Sequence, residues 1–171
     1  MNTINKSTIF IIQYYESLHD GDMSVIGLQP KECPAGIWTV GYGHALRNNR
    51  GEYLRGNKDK AEAYRQFPGL TELEANNLLE QDLKLFGSQV SKLIKLPVTD
   101  NQFGACVSLA YNIGVNAFAD STVCKCINDG HFALAANAFS LWNKGTINGV
   151  RMVLNGLTKR RESEKELFLS A

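Results

Sequence analysis

ECPAGIWTVGYGH, residues 32–44, is the stretch from which the rest of the chain is best read. Its centre, IWTVGY, is rich in β-branched and aromatic residues, and Pro34, Gly36, Gly41 and Gly43 punctuate both flanks, so it predicts a short strand between turns. Alternation along that strand puts Thr39 on one face and Trp38 and Val40 on the other, so Thr39 is expected to look into a cleft while Trp38 packs. A threonine hydroxyl both donates and accepts, which suits it to holding a water molecule. Gly41 and Gly43 leave the backbone open beyond it to the close approach of another segment or a ligand.

Upstream, Ser7 or Thr8 is expected to cap a first helix carrying Ile11, Tyr14, Tyr15 and Leu18 and ending at HDGD, residues 19–22. Glu16 then lies near the negative end of the helix dipole, where its charged form is disfavoured, and burial acts in the same direction. From residue 21 to 60 the texture is of short β-prone pieces. NNRGEY, residues 48–53, reads as a turn into a second strand, and residues 56–70 as a polar connection with one helical turn.

Downstream the pattern turns helical almost to the end. TELE, residues 71–74, and TDNQ, residues 99–102, are capping boxes, and the second opens a stripe of Phe103, Cys106, Val107 and Ala110. Further helices are expected before INDG at residues 127–130, over HFALAANAFSLWN at 131–143, and over LTKRRESEKELF at 157–168. The layout is α+β in a single domain, 1–171, with a β lobe over about 21–60 and a helical lobe from 1–20 and 70–171.

Composition excludes several classes. A 44% hydrophobic chain of 171 residues is long enough for a packed core, and eighteen Lys+Arg against seventeen Asp+Glu leave a charge of +1, with no field arguing for nucleic acid or a membrane surface. Cys124 and Cys126 are too close for a C-x-x-C pair, so no metal is expected, and Cys106, Cys124 and Cys126 read as small core or surface residues. The apolar run at residues 9–15 is too short for a signal or a membrane span, which implies a soluble product accumulating in the cytoplasm. Lys159, Arg160 and Arg161 are followed at once by Glu162, Glu164 and Glu166, the pattern of a solvated face with i, i+4 pairs; an arginine paired with Glu16 or bracing the cleft is the alternative. His44 is expected in a structural ion pair, and Trp38 and Trp142 in the core.

A carboxylic acid at a helix end and a strand hydroxyl sharing a cleft have the makings of glycoside hydrolysis. One group protonates the leaving oxygen while another manages water or the cationic intermediate. Sugar hydroxyls and acetamido groups need hydrogen-bonding partners, for which Asn112 and Thr122 are candidates, whereas Gln102 is already committed to its capping box.

Glu16 followed by residues 33–44, NQFGACVSLAYNIG at 101–114, FADSTV at 118–123, AFSLWN at 138–143 and GLTKRRESE at 156–164 together resemble the phage lysozymes, the muramidase endolysins of glycoside hydrolase family 24, in order along nearly the whole chain. The resemblance implies a lysozyme-like fold with a small N-terminal β-hairpin lobe, a larger helical lobe and the active-site cleft between them. It implies hydrolysis of the β-1,4 bond between N-acetylmuramic acid and N-acetylglucosamine in peptidoglycan, without metal or organic cofactor, by a monomer that reaches the wall after a holin-like protein acts. Glu16 takes the family's general acid, Cys33 its position that is usually Asp and sometimes Cys, and Thr39 its water-placing threonine. Two departures stand out. The segment between Glu16 and Cys33 is longer than in the family, and Cys33 is no carboxylate, so Asp20 and Asp22 in the longer loop are alternatives for the third group. The family analogy favours inversion. Competing readings are a lytic transglycosylase, a chitinase-like enzyme and a catalytically weakened peptidoglycan-binding protein.

Overall fold

The computed structural model describes residues 2–170. The chain divides into two compact units, one formed by residues 16–82 and the other by the stretches on either side.

The first unit is built on the glycine-punctuated strand. β2 (Trp38–Val40) is the centre of a three-stranded antiparallel sheet, flanked by β1 (Lys31–Glu32) and β3 (His44–Ala45). Its register pairs Thr39 with Lys31 on one side and with Ala45 on the other. Trp38 and Val40 are in the core with Leu46, Leu54, Ala63 and Leu79, as expected. Thr39, however, is only 5% exposed, so β2 is covered on both faces; the loop after residue 16 returns over the threonine face and lays the His19 ring against it. The indole of Trp38 donates to the Gly56 carbonyl at 2.9 Å and meets Tyr64 edge-to-face, which seats the next helix.

That helix, α2 (Gly56–Gln66), corrects the expectation of a polar connection with one helical turn. Its only fully buried side chain is Ala63, so no apolar stripe announces it; local polar contacts support it instead. The Asp59 carboxylate accepts from the Arg55 N–H at 2.8 Å, and Glu62 accepts from Gln66 at 3.0 Å and pairs with Arg65. NNRGEY does form a turn, with the Asn48 side chain accepting from the N–H groups of Arg50 and Glu52, but the residues after it make only single bridges, at Tyr53 and Arg55, in place of the expected strand.

Among the described residues the second unit is helical apart from one hairpin. α1 (Lys6–Glu16) is capped by Asn5, not by Ser7 or Thr8: the Asn5 side chain accepts from the Thr8 N–H at 3.0 Å, and Thr8 is fully buried. α3 (Glu72–Leu93) begins within the first unit, at the expected Thr71/Glu74 capping box, and runs on into the second. α4 (Asp100–Ile113) opens on the expected Thr99/Gln102 box and buries eight consecutive residues, Phe103 to Ala110. After it come α5 (Val115–Asp120), α6 (Thr122–Asn128), α7 (Phe132–Ala138), a 3₁₀ turn (Phe139–Trp142) and α8 (Asn155–Leu169). Trp142 is half-buried, short of the core position expected of it.

Between the 3₁₀ turn and α8 lies a hairpin that helical reading of this region passes over, β4 (Lys144–Ile147) and β5 (Val150–Val153). Asn148 and Gly149 both have positive φ, 50° and 79°, the two-residue turn that matches strand twist. α8 holds a second departure. Arg160 and Arg161 are 3% and 1% exposed, so they are no solvated face. Both converge on the fully buried Glu164, at 3.2 and 2.9 Å, and the Ser108 hydroxyl of α4 donates to the same carboxylate at 2.7 Å. Burial raises the Glu164 carboxyl; the guanidiniums of Arg161 and Arg160 and the Ser108 hydroxyl pull it back.

Candidate active site

Glu16 is the last residue of α1, the helix end expected for it. Ser17 comes next in the left-handed conformation, φ 52°, and its hydroxyl donates back to the Glu16 carbonyl at 2.7 Å, closing the helix sharply. The chain then runs antiparallel to the end of β2, where the His19 N–H donates to the Gly41 carbonyl at 2.9 Å. Gly43, at φ 88°, is where the glutamate lies against the sheet: a Cβ there would stand 3.6 Å from Glu16 Oε2. Both features need glycine or a turn residue, and together they bring Glu16 to the strand that carries Thr39.

The side chain joining them is His19, which residue-by-residue reading of the sequence passes over. One ring nitrogen, Nε2, lies 3.1 Å from the Glu16 carbonyl oxygen and the other, Nδ1, 3.3 Å from Thr39 Oγ1. Thr39 Oγ1 in turn donates to the Lys31 carbonyl at 3.1 Å. The only signal in the sequence is the spacing of Glu16 and His19, three residues apart across a helix end.

The other candidates are positioned separately. Cys33 opens the β1–β2 turn, its N–H donating to the Ile37 carbonyl and its own carbonyl accepting from Gly36, both at 2.8 Å; its thiol is free and half-buried. Asp20 is occupied with the loop, accepting from the N–H of Asp22 at 3.0 Å and of Gln29 at 3.2 Å. Asp22 accepts from the Ser24 hydroxyl and N–H, which hold its carboxyl below the usual range. The loop between Glu16 and Cys33 is therefore ordered by its own aspartates. Fully buried Gln29 fastens it further by donating to the Pro68 carbonyl at 2.8 Å. Asn112, near the end of α4, and Thr122, the first residue of α6, are exposed side chains of the other unit. His44 makes the ion pair expected of it, with Asp82 of α3 at 2.9 Å. A concavity of about 470 Å³ beside the end of α2, lined among others by Phe67, Glu74, Asn77 and Gln81, includes neither Glu16 nor Thr39.

In this α+β chain a helix-terminal glutamate is thus set beside the turn that follows a strand bearing a buried threonine hydroxyl. The phage lysozyme family model matches residues 23–164. The endolysin of Acyrthosiphon pisum secondary endosymbiont phage 1 is 36% identical over 168 residues, 98% of this chain and 99% of that protein. Among solved structures, the muramidase domain of SpmX from Asticaccaulis excentricus superposes with a TM-score of 0.78 at 32% identity over the full length of both chains. A mutant P22 lysozyme gives 0.71 at 29% identity, over 99% of this chain and all of that one. The chain belongs to the phage lysozyme family.

Proposed function

We propose that the protein is a phage endolysin acting as a muramidase, which hydrolyses the β-1,4 bond between N-acetylmuramic acid and N-acetylglucosamine of peptidoglycan and so lyses the bacterial host. Glu16 is the general acid and Thr39 places the attacking water, while Cys33 holds the family's third position. The observation that carries the reading is the approach of the Glu16 carboxylate to Gly43, in the turn that follows the strand bearing Thr39. The names of the endolysin, lysozyme and muramidase relatives support it. Cys33 is favoured over Asp20 and Asp22 because both aspartates are engaged in the hydrogen bonds of their own loop. Asn112 and Thr122 serve as glycan-binding side chains, displacement inverts the anomeric centre, and the working form is a single domain and a monomer. No helix among the described residues is long and apolar enough to cross a membrane. In this reading the protein accumulates in the host cytoplasm and meets the wall once a holin-like protein has opened the membrane.

The test is muropeptide release from purified cell walls by the parent, Glu16→Gln and Cys33→Ala proteins, with folding checked by circular dichroism. New reducing ends from the parent and a loss of at least about a hundredfold in Glu16→Gln are expected, the scale of a general acid's contribution. Products ending in 1,6-anhydromuramic acid identify a transglycosylase instead, and full activity in a folded Glu16→Gln protein sinks the mechanism. A near-normal rate in Cys33→Ala hands the third role to an aspartate or to water alone.

A further inference from the structure

His19 touches the backbone of Glu16 and the hydroxyl of Thr39, and the hydrogens in the chain of three contacts that runs on to the Lys31 carbonyl can be counted one by one. The Glu16 carbonyl only accepts, so the 3.1 Å contact requires a hydrogen on Nε2. Thr39 has one hydroxyl hydrogen and two acceptors in reach, the Lys31 carbonyl at 3.1 Å and His19 Nδ1 at 3.3 Å. If that hydrogen goes to Lys31, the Nδ1 contact needs a second ring hydrogen. All three bonds therefore coexist only on an imidazolium ring. A neutral ring keeps its hydrogen on Nε2, and the Thr39 hydroxyl turns to Nδ1, leaving both of its lone pairs clear of the ring.

We propose that His19 is a positioning residue: its protonation state sets the direction of the Thr39 hydroxyl and thereby how many lone pairs of Thr39 Oγ1 are open to the attacking water. This rests on the muramidase reading above. With the ring neutral, Oγ1 offers two lone pairs to water. With the ring cationic, one of those lone pairs is taken by Nδ1–H, which leaves a single one to hold the water and slows the reaction. The other ionisable groups on the surrounding elements include Asp20, next in the chain and bonded to the Asp22 and Gln29 N–H groups, Lys31 and Glu32 on β1, the latter accepting from the Gly56 N–H, Cys33 just past β1, Tyr42 in the turn after β2, and His44 on β3, which is paired with Asp82. Imidazole is the side chain whose unperturbed charge change falls in roughly the pH 5–8 range.

The experiment compares kcat and KM of the parent, His19→Gln and His19→Phe on solubilised peptidoglycan from pH 4.5 to 8, alongside ¹⁵N spectra of the imidazole rings in the full-length parent and in Thr39→Val. Glutamine keeps one donor and one acceptor but cannot ionise. His19→Gln is expected to hold the neutral-pH kcat within about threefold and to overtake the parent as pH falls. His19→Phe is expected to lose about tenfold in kcat, the equivalent of one hydrogen bond, with KM within twofold. The spectra are expected to show the Nε2–H tautomer in the neutral ring and a shifted Nδ1 resonance in Thr39→Val. A neutral ring protonated on Nδ1, an Nδ1 resonance unmoved by Thr39→Val, or a parent-like pH profile in both His19 variants overturns the proposal. A parent that releases no muropeptides refutes the muramidase reading by itself, and the ring spectra then still decide the hydrogen-bond arrangement.

Discussion

Gly104 of α4 is the seat of α1, and replacing it tests how that helix is held. A Cβ added at Gly104 would fall far inside contact distance of Thr8 Oγ1, with Thr8 Cβ at 3.1 Å and Cγ2 at 3.4 Å. Thr8 cannot swing away easily, because it is fully buried, stiff at χ1, and its hydroxyl donates to Asn5 Oδ1 at 3.0 Å, the oxygen that also caps the helix. Overpacking of this kind costs about 1–3 kcal/mol, and losing the Thr8–Asn5 bond adds roughly 1. Alanine returns up to about 1 kcal/mol through its better helix propensity. A contact this close belongs in the upper part of the range, so Gly104→Ala should lose about 2–3 kcal/mol, or roughly 4–12 °C in Tm for a chain of this size. Urea unfolding followed by circular dichroism measures it. The companion Thr8→Ala removes the obstructing atoms, so the double variant should be more stable than the two single losses sum to, by about 1 kcal/mol or more. Gly104→Ala as stable as the parent, or strict additivity of the pair, would refute this account of the α1–α4 contact.

Glu164→Ala removes the carboxylate on which the buried Arg160 and Arg161 converge, and should cost about 3–5 kcal/mol by the same unfolding assay. Asp100 accepts from the Thr3 hydroxyl and N–H, which hold its carboxyl below the usual value. Its contribution is therefore present above the unfolded pKa, near about 3.9, and is lost as pH falls through the lower folded value; the stability gap between parent and Asp100→Asn should close on acidification below about pH 4. Gly149→Ala, at φ 79° in the tight turn, should destabilise the β4–β5 hairpin by about 1 kcal/mol and speed amide exchange along Lys144–Ile147.

Legibility in the sequence tracks the locality of the signal. The two capping boxes at residues 71–74 and 99–102 are complete within four residues, and both form in the fold. α2 escapes a reading by hydrophobic periodicity because it buries Ala63 alone and is held by Asp59, Glu62 and Gln66 on its polar side. The β4–β5 hairpin escapes it although the Asn148–Gly149 turn is a strong local cue, because the flanking strands are exposed and show no alternation to weigh against the helices on either side. Arg160 and Arg161 mislead for a different reason. The i, i+4 spacing of charges on α8 is the same whether the face meets water or a buried partner, and the Ser108 that completes the network lies more than fifty residues away.

The candidate site divides along the same line. Glu16 at a helix end and Thr39 on a strand are local statements, and the fold bears out both positions. That Thr39 is covered, and by what, depends on the loop of residues 17–30, whose course is fixed by Asp20, Gln29 and a left-handed Ser17. No composition or period in that segment announces that His19 will reach β2. In the fold the left-handed turn at Ser17 lets one imidazole contact the backbone of the acid and the hydroxyl of the threonine at the same time. A segment without period or apolar pattern in the sequence is thus the one that touches both residues on which the proposed chemistry depends.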